Sequence, residues 1–205
     1  LHLISGKPML EWVIDANKSA NINKCIIVIP EKCKALEEFC HNFETVVQKV
    51  PKGTGDAVKK ASVLLKNFTG VILVCFADTP FLNPETIKKI VEPFNNGTKL
   101  VITGFKKFEK NHYGKIIFSN KNEPVEIIEQ KDAEVKNIRS DFCNGGIMAF
   151  HSSILNQLDK IQENPVSNEF YLTDIVKILN HEKEKISFIE IKEEEILGIN
   201  NQVDL

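Results

Sequence analysis

No stretch of this 205-residue chain approaches the roughly 20 consecutive apolar residues that a bilayer-crossing helix requires. No positively charged leader precedes an apolar segment either, so the visible chain is expected to be cytoplasmic and without a membrane partner. An excess of one charge is lacking too: 26 Lys and Arg stand against 28 Asp and Glu, a formal net charge of -2, and the two signs are interleaved. That excludes the basic stripe of a nucleic-acid binder and leaves only small polyanions as partners. The five cysteines (Cys25, Cys33, Cys40, Cys75, Cys143) include no Cys-x-x-Cys pair and are read as reduced structural thiols. The five histidines (His2, His41, His112, His151, His181) have no His-x-x-x-His spacing and complete no Ser/His/Asp arrangement, so neither a zinc site nor a nucleophilic hydrolase has support. An initiator methionine is also absent: the chain opens on Leu1, at the lead-in to a helix, and is expected to be a fragment.

What is present is the profile of one globular domain, 42% hydrophobic and 26% charged, large enough for a substantial core. Pro8 suits a first helical turn, and Met9, Leu10, Val13 and Ile14 recur at helical spacing, which predicts a helix from about 8 to 20. Cys25 to Pro30 is a short apolar run followed by the amphipathic segment Glu31 to His41, the pattern of a buried strand and its crossover helix. Thr45 to Gln48 is a further strand candidate. After the Gly53-Thr54-Gly55 turn, helical spacing returns through Ala57, Val58, Ala61, Leu64 and Leu65, and Val71 to Phe76 is the most strand-like run in the chain. Such alternation predicts an α/β fold with a mixed, mainly parallel sheet flanked by helices, whose ligands bind at the carboxyl ends of the strands. Beyond Lys99 the strand candidates shorten (Leu100 to Thr103, Lys115 to Phe118, Val125 to Glu129, Gly146 to Phe150). A last helix is expected over about Ser167 to Asn180, then a strand at Ile186 to Ile191.

Two loops carry most of the chemistry. The segment from Gln48 through Gly53-Thr54-Gly55 sets two glycines ahead of a helix, where unpaired amides and the positive dipole end can receive an anion or a base carbonyl. The same tripeptide also suits a tight turn capped by Thr54 or Asp56. Asp78, in Phe76-Ala77-Asp78-Thr79-Pro80, follows an apolar strand and would emerge at the sheet edge, where a hard cation such as Mg2+ takes carboxylate and phosphate oxygens. Glu129 ends another apolar strand and suits sugar hydroxyls, although a surface carboxylate is the plain alternative. Asn144-Gly145-Gly146 offers an amide donor and acceptor, and Gly198-Ile199-Asn200-Asn201 offers an amide oxygen; both are equally ordinary turns.

Taken in order, Leu1 to Leu10, Gly53 to Val58, Ala77-Asp78-Thr79-Pro80, Tyr113-Gly114-Lys115-Ile116, Ile128 to Ala133, Asn144-Gly145-Gly146-Ile147, Phe170-Tyr171-Leu172-Thr173-Asp174 and Gly198 to Asn201 resemble the uridylyltransferase domain of the bacterial bifunctional N-acetylglucosamine-1-phosphate uridylyltransferases. The blocks cover nearly the whole chain. The resemblance implies a Rossmann-like nucleotidyltransferase fold of the GT-A kind. It implies Gln48, Gly53 and Thr54 at the uracil, Phe76 and Ala77 on the ribose side, and Gly114, Glu129 and Asn144 at the amino sugar. Asp78, as the catalytic carboxylate, and Asn200 would hold Mg2+.

The implied reaction transfers UMP from UTP to N-acetylglucosamine-1-phosphate, giving UDP-N-acetylglucosamine for peptidoglycan and lipopolysaccharide precursors, and pyrophosphate. The sequence departs from the family pattern at Pro51, where Gln is common, at Phe76-Ala77, where Tyr-Gly is frequent, and at Gly145, where Thr or Ser is usual. Residues 1–205 are expected to be a nucleotidyltransferase domain without the family's first strand and Gly-rich loop, which carry an Arg and a Lys for the triphosphate. The family's second domain, an acetyltransferase β-helix through which intact members are expected to form homo-oligomers, is likewise expected to lie outside residues 1–205. Transfer to another sugar-1-phosphate, or a binding-only module, are the alternative readings.

Overall fold

The computed structural model describes residues 3–22, 24–109, 111–135, 138 and 140–198. After a short antiparallel pair, β1 (Leu3–Ile4) and β2 (Lys7–Pro8), helix α1 runs over Met9–Ser19. Strands β3 (Ile26–Pro30) and β4 (Glu44–Gln48) form a parallel ribbon joined through α2 (Lys34–Phe39). Helix α3 (Thr54–Ser62) then leads to β5 (Val71–Val74) and α4 (Pro84–Val91). Asn83 caps α4 by accepting a 2.9 Å hydrogen bond from the Glu85 amide, and Pro84 occupies a position where a missing N–H costs nothing. The second half contributes β6 (Leu100–Lys106), β7 (Lys115–Phe118), β8 (Pro124–Ile128), α5 (Gln130–Val135), β9 (Phe142–His151), α6 (Asp174–His181) and β10 (Ile186–Glu190).

The main sheet has six strands, with β10, β6 and β9 side by side. On the far side of β9, β5 pairs with its residues 148–151 and β7 pairs with Cys143. Strands β5, β6, β7 and β10 run one way, while β8 and β9 run against them. The sheet is therefore mixed, as expected, with most strands sharing a direction. Insertion of β9 nevertheless makes its neighbour pairs mostly antiparallel, because β9 meets β5, β6 and β7 alike.

Both faces of this sheet are covered, which explains the near-continuous apolar runs of its central strands. Leu100 and Ile102 of β6, with Met148 and Phe150 of β9, face Ile175, Val176 and Leu179 of α6. The intervening Val101, Ile147 and Ala149 face Ile87 and Ile90 of α4, Ala16 of α1 and Ala20 just beyond its end. Helix α1 also packs Leu10 and Ile14 onto Ile27 and Ile29 of β3, tying the ribbon to the larger sheet.

Two helix expectations shorten. The segment from Glu31 is helical only over Lys34–Phe39, after Lys32 turns at φ 63°. The last helix begins at Asp174 rather than Ser167, because Asn168 adopts φ 57° and the backbone at Phe170 and Leu172 bonds across to residues 52–55.

Candidate active site

A cleft of about 1060 Å³ opens where β9 changes partners. Between the register pairs Ile102↔Met148 and Gly104↔Asn144, three residues of β9 oppose Thr103 alone, and a bulge of this kind re-aims side chains beside a crevice. The buried Thr103 hydroxyl is satisfied by donating to the Ile147 carbonyl at 2.8 Å. Gly145 and Gly146 line the opening. A Cβ on Gly146 would lie 2.5 Å from the Phe76 ring, and its φ of +78° disfavours any side chain. The glycine thus lets the loop after β5 close onto β9.

Three elements bring Gly114, Glu129 and Asn144 together. The Asn144 amide donates to the Gly114 carbonyl at 2.8 Å, and a Cβ at Gly114 would lie 3.6 Å from the Glu129 carboxylate. Glu129 follows β8, is half-buried, and accepts a 2.7 Å hydrogen bond from the Thr173 hydroxyl. Burial pushes its carboxyl above the ordinary range, the Thr173 bond opposes this, and nearby Asp132 and Glu169 add to the rise. Asn144 also orders its own turn by accepting from the Gly146 amide at 3.0 Å.

Gln48, Gly53 and Thr54 lie on another wall of the same cleft. The Gln48 amide group donates to the Gly53 carbonyl at 3.2 Å and to the Asp56 carboxylate at 2.7 Å, which fixes its orientation at the end of β4. Gly53 has φ +90°, and a Cβ there would stand 2.6 Å from the Phe170 carbonyl oxygen; at Gly55 the distance would be 2.9 Å. Both glycines are thus required by a backbone from residues 170–172 that comes in close. The Thr54 hydroxyl accepts from the Leu172 amide at 3.1 Å, so it holds the loop as well as lining the cleft.

Phe76 and Asp78 complete the lining, whereas Ala77 is exposed and lies outside it. Asp78 is half-exposed just past β5 and is engaged in no hydrogen bond or ion pair among the described residues, while Thr79 closes the turn by donating to the Phe76 carbonyl at 3.0 Å. Asn200 lies outside the described residues, as do Ile199 and Asn201. No group of three or more His, Cys, Asp or Glu side chains is assembled for a metal among the described residues. A single carboxylate with open oxygens fits a cation that takes most of its ligands from water and phosphate, and does not fit a closed protein cage.

The cleft also contains residues the sequence reading did not single out as site residues. Tyr171 and Thr173 belong to the stretch expected to be helical, and Lys107 and Tyr113 flank the mouth. Lys107 is paired with Glu193, and that hydrogen bond raises its pKa. The signal for Thr173 was its place in the Phe170 to Asp174 block; nothing in the spacing pointed to Lys107. A second concavity of about 660 Å³ runs along β4 and α3, lined by Val47, Val50, Val63 and Leu64 among others. Its sole carboxylate among the described residues, Asp56, is already engaged by Gln48 and Lys60.

A mixed sheet flanked by helices, with a cleft at its strand ends, is an α/β domain of the Rossmann-like kind. The chain belongs to the family of MobA-like NTP transferase domains, whose profile matches residues 1–164. Over its full length it is similar to the "Bifunctional protein GlmU" of Ruegeria sp. (strain TM1040), 32% identical over 210 residues, and to that of Thermodesulfovibrio yellowstonii, 33% identical over 209 residues. It spans 46% of each of these relatives. A crystal structure of a putative glucose-1-phosphate thymidylyltransferase from Bacillus anthracis, in complex with a sucrose, superposes with a TM-score of 0.75 over 94% of this chain and 77% of that one. At 17% identity this likeness speaks for the fold. No helix among the described residues is long and apolar enough to cross a membrane.

Proposed function

We propose that the protein is a sugar-1-phosphate nucleotidyltransferase that joins UMP from UTP to N-acetylglucosamine-1-phosphate and releases pyrophosphate. The observation that carries this reading is the convergence in one cleft of the Gln48/Gly53/Thr54 loop, the open carboxylate of Asp78 and the Gly114/Glu129/Asn144 wall. The loop offers an oriented amide and glycine backbone to the flat edge of a base. The opposite wall offers a carboxylate and an amide to sugar hydroxyls and an acetamido group.

The sugar phosphate is already an anionic nucleophile, so the step needs no general base. Its oxygen bonds to the α-phosphorus while the bond to the bridging oxygen of pyrophosphate breaks, and the leaving group carries away the electron pair. Catalysis then rests on alignment of the two phosphates and on neutralisation of their charge. Asp78 would hold Mg2+, with Asn200 as its partner; the ion would supply charge stabilisation on the phosphoryl oxygens. Glu129, kept in place by Thr173, would fix the sugar ring.

The test is pyrophosphate release by the intact native protein with Mg2+, UTP and N-acetylglucosamine-1-phosphate, beside CTP, dTTP and glucose-1-phosphate. Release confined to UTP with the N-acetylated sugar is the expected result. Preference for another pair would replace the specificity, and no release with any pair would contradict the reading in favour of a binding-only module.

A further inference from the structure

Apart from bonds within α3 and the segment 48–57, the hydrogen bonds of residues 52–55 among the described residues go to one short stretch. The Phe170 amide donates to the Lys52 carbonyl at 2.8 Å, the Gly55 amide donates to the Phe170 carbonyl at 2.8 Å, and the Leu172 amide donates to the Thr54 hydroxyl at 3.1 Å. One residue further on, the buried Thr173 hydroxyl donates to Glu129 at 2.7 Å. The Thr54 hydroxyl and the Glu129 carboxylate are thus joined through two consecutive residues, Leu172 and Thr173. Gly53 and Gly55 have no Cβ to hold this stretch away, and Leu172 is anchored in the core against α6.

We propose that residues 170–173 form a strap through which occupation of the sugar wall tightens the nucleotide loop, and the reverse, with Thr173 as the positioning residue. The proposal rests on the functional reading above. A ligand that draws on Glu129 shifts the partner of Thr173, and the neighbouring Leu172 amide transmits that shift to Thr54. Coupling of this kind is reciprocal and typically amounts to roughly 5- to 150-fold in affinity.

Calorimetry with the α,β-methylene analogue of UTP, which cannot release pyrophosphate, and with N-acetylglucosamine-1-phosphate measures it directly. In the parent protein each ligand is expected to raise the affinity for the other by at least about fivefold. Thr173→Val keeps the shape and removes the hydroxyl; it should bring that factor to within about twofold of unity, and Thr173→Ser should restore it. A merely structural role would lower the melting temperature of the Val variant and leave the coupling factor unchanged, which would overturn the proposal. A parent that binds both ligands independently would also overturn it while sparing the functional reading. A parent that binds neither would overturn the functional reading, and the strap with it.

Discussion

The two walls of the cleft are built to different standards. The wall with Gly114, Glu129 and Asn144 grows out of β7, β8 and β9, where Ile116, Ile127, Cys143 and Ile147 are buried against packed layers. The wall with Gln48, Gly53 and Thr54 hangs between a two-stranded ribbon and α3. No residue of β4 is buried, and in α3 only Gly55 is. One wall is held by the core, the other by hydrogen bonds to Phe170 and Leu172 and by the exposed ion pairs Lys52–Glu163 and Lys59–Asp159. A site that must admit, align and release two ligands gains from having one rigid side and one that opens at low cost.

The largest effect is expected where the walls meet. In the intact protein, Asp78→Ala should lower turnover by about 100-fold or more while leaving the melting temperature almost unchanged, since Asp78 has no structural partner among the described residues. Turnover within about tenfold of the parent would remove Asp78 from its assigned role. The contrast between the walls themselves is sharpened by truncations: Ile102→Ala, at a fully buried position of β6, should cost about 2–5 kcal/mol in chemical denaturation. Val47→Ala on the exposed β4, 43% accessible, should cost under about 1 kcal/mol. Equal costs would break the comparison.

Gly53→Ala introduces a Cβ 2.6 Å from the Phe170 carbonyl at φ +90°, and should cost about 1–3 kcal/mol. It should also weaken nucleotide binding more than sugar-phosphate binding, as separate titrations would reveal. The last effect concerns pH. Burial, reinforced by the Glu129 carboxylate, pushes Asp174 up to about 6 from 3.8. The folded state therefore holds this proton more tightly than the unfolded chain. The resulting stabilisation is complete below about pH 3.8 and is lost as pH rises through about 6. Asp174→Asn should flatten that part of the melting-temperature profile, and an unchanged slope would assign it to other groups.

The rigid half was the more legible in the sequence. Apolar runs such as Val71 to Phe76 and Gly146 to Phe150 marked strands, and the structure extends the latter to a ten-residue β9. Of the expected site residues, Gln48, Gly53, Thr54, Phe76, Asp78, Gly114, Glu129 and Asn144 line one cleft. The strap was not legible. Leu172, Ile175, Val176 and Leu179 are spaced as in a helix, and this periodicity invites extension back to Ser167. Yet the backbone at Phe170 and Leu172 is claimed by partners more than a hundred residues away, which no local pattern encodes. The antiparallel insertion of β9 was hidden for the same reason, since pairing direction is a tertiary property.

Diffraction from crystals of the intact protein soaked with UDP-N-acetylglucosamine and Mg2+ bears most directly on the account of two walls serving two parts of one ligand. The uracil is predicted against Gln48, Gly53 and Thr54, the acetamido sugar over Gly114, Glu129 and Asn144, and the metal at Asp78. Sugar nucleotide lodged instead in the groove of Val47, Val50 and Leu64, or spanning the cleft with its base on the Glu129 wall, would contradict it.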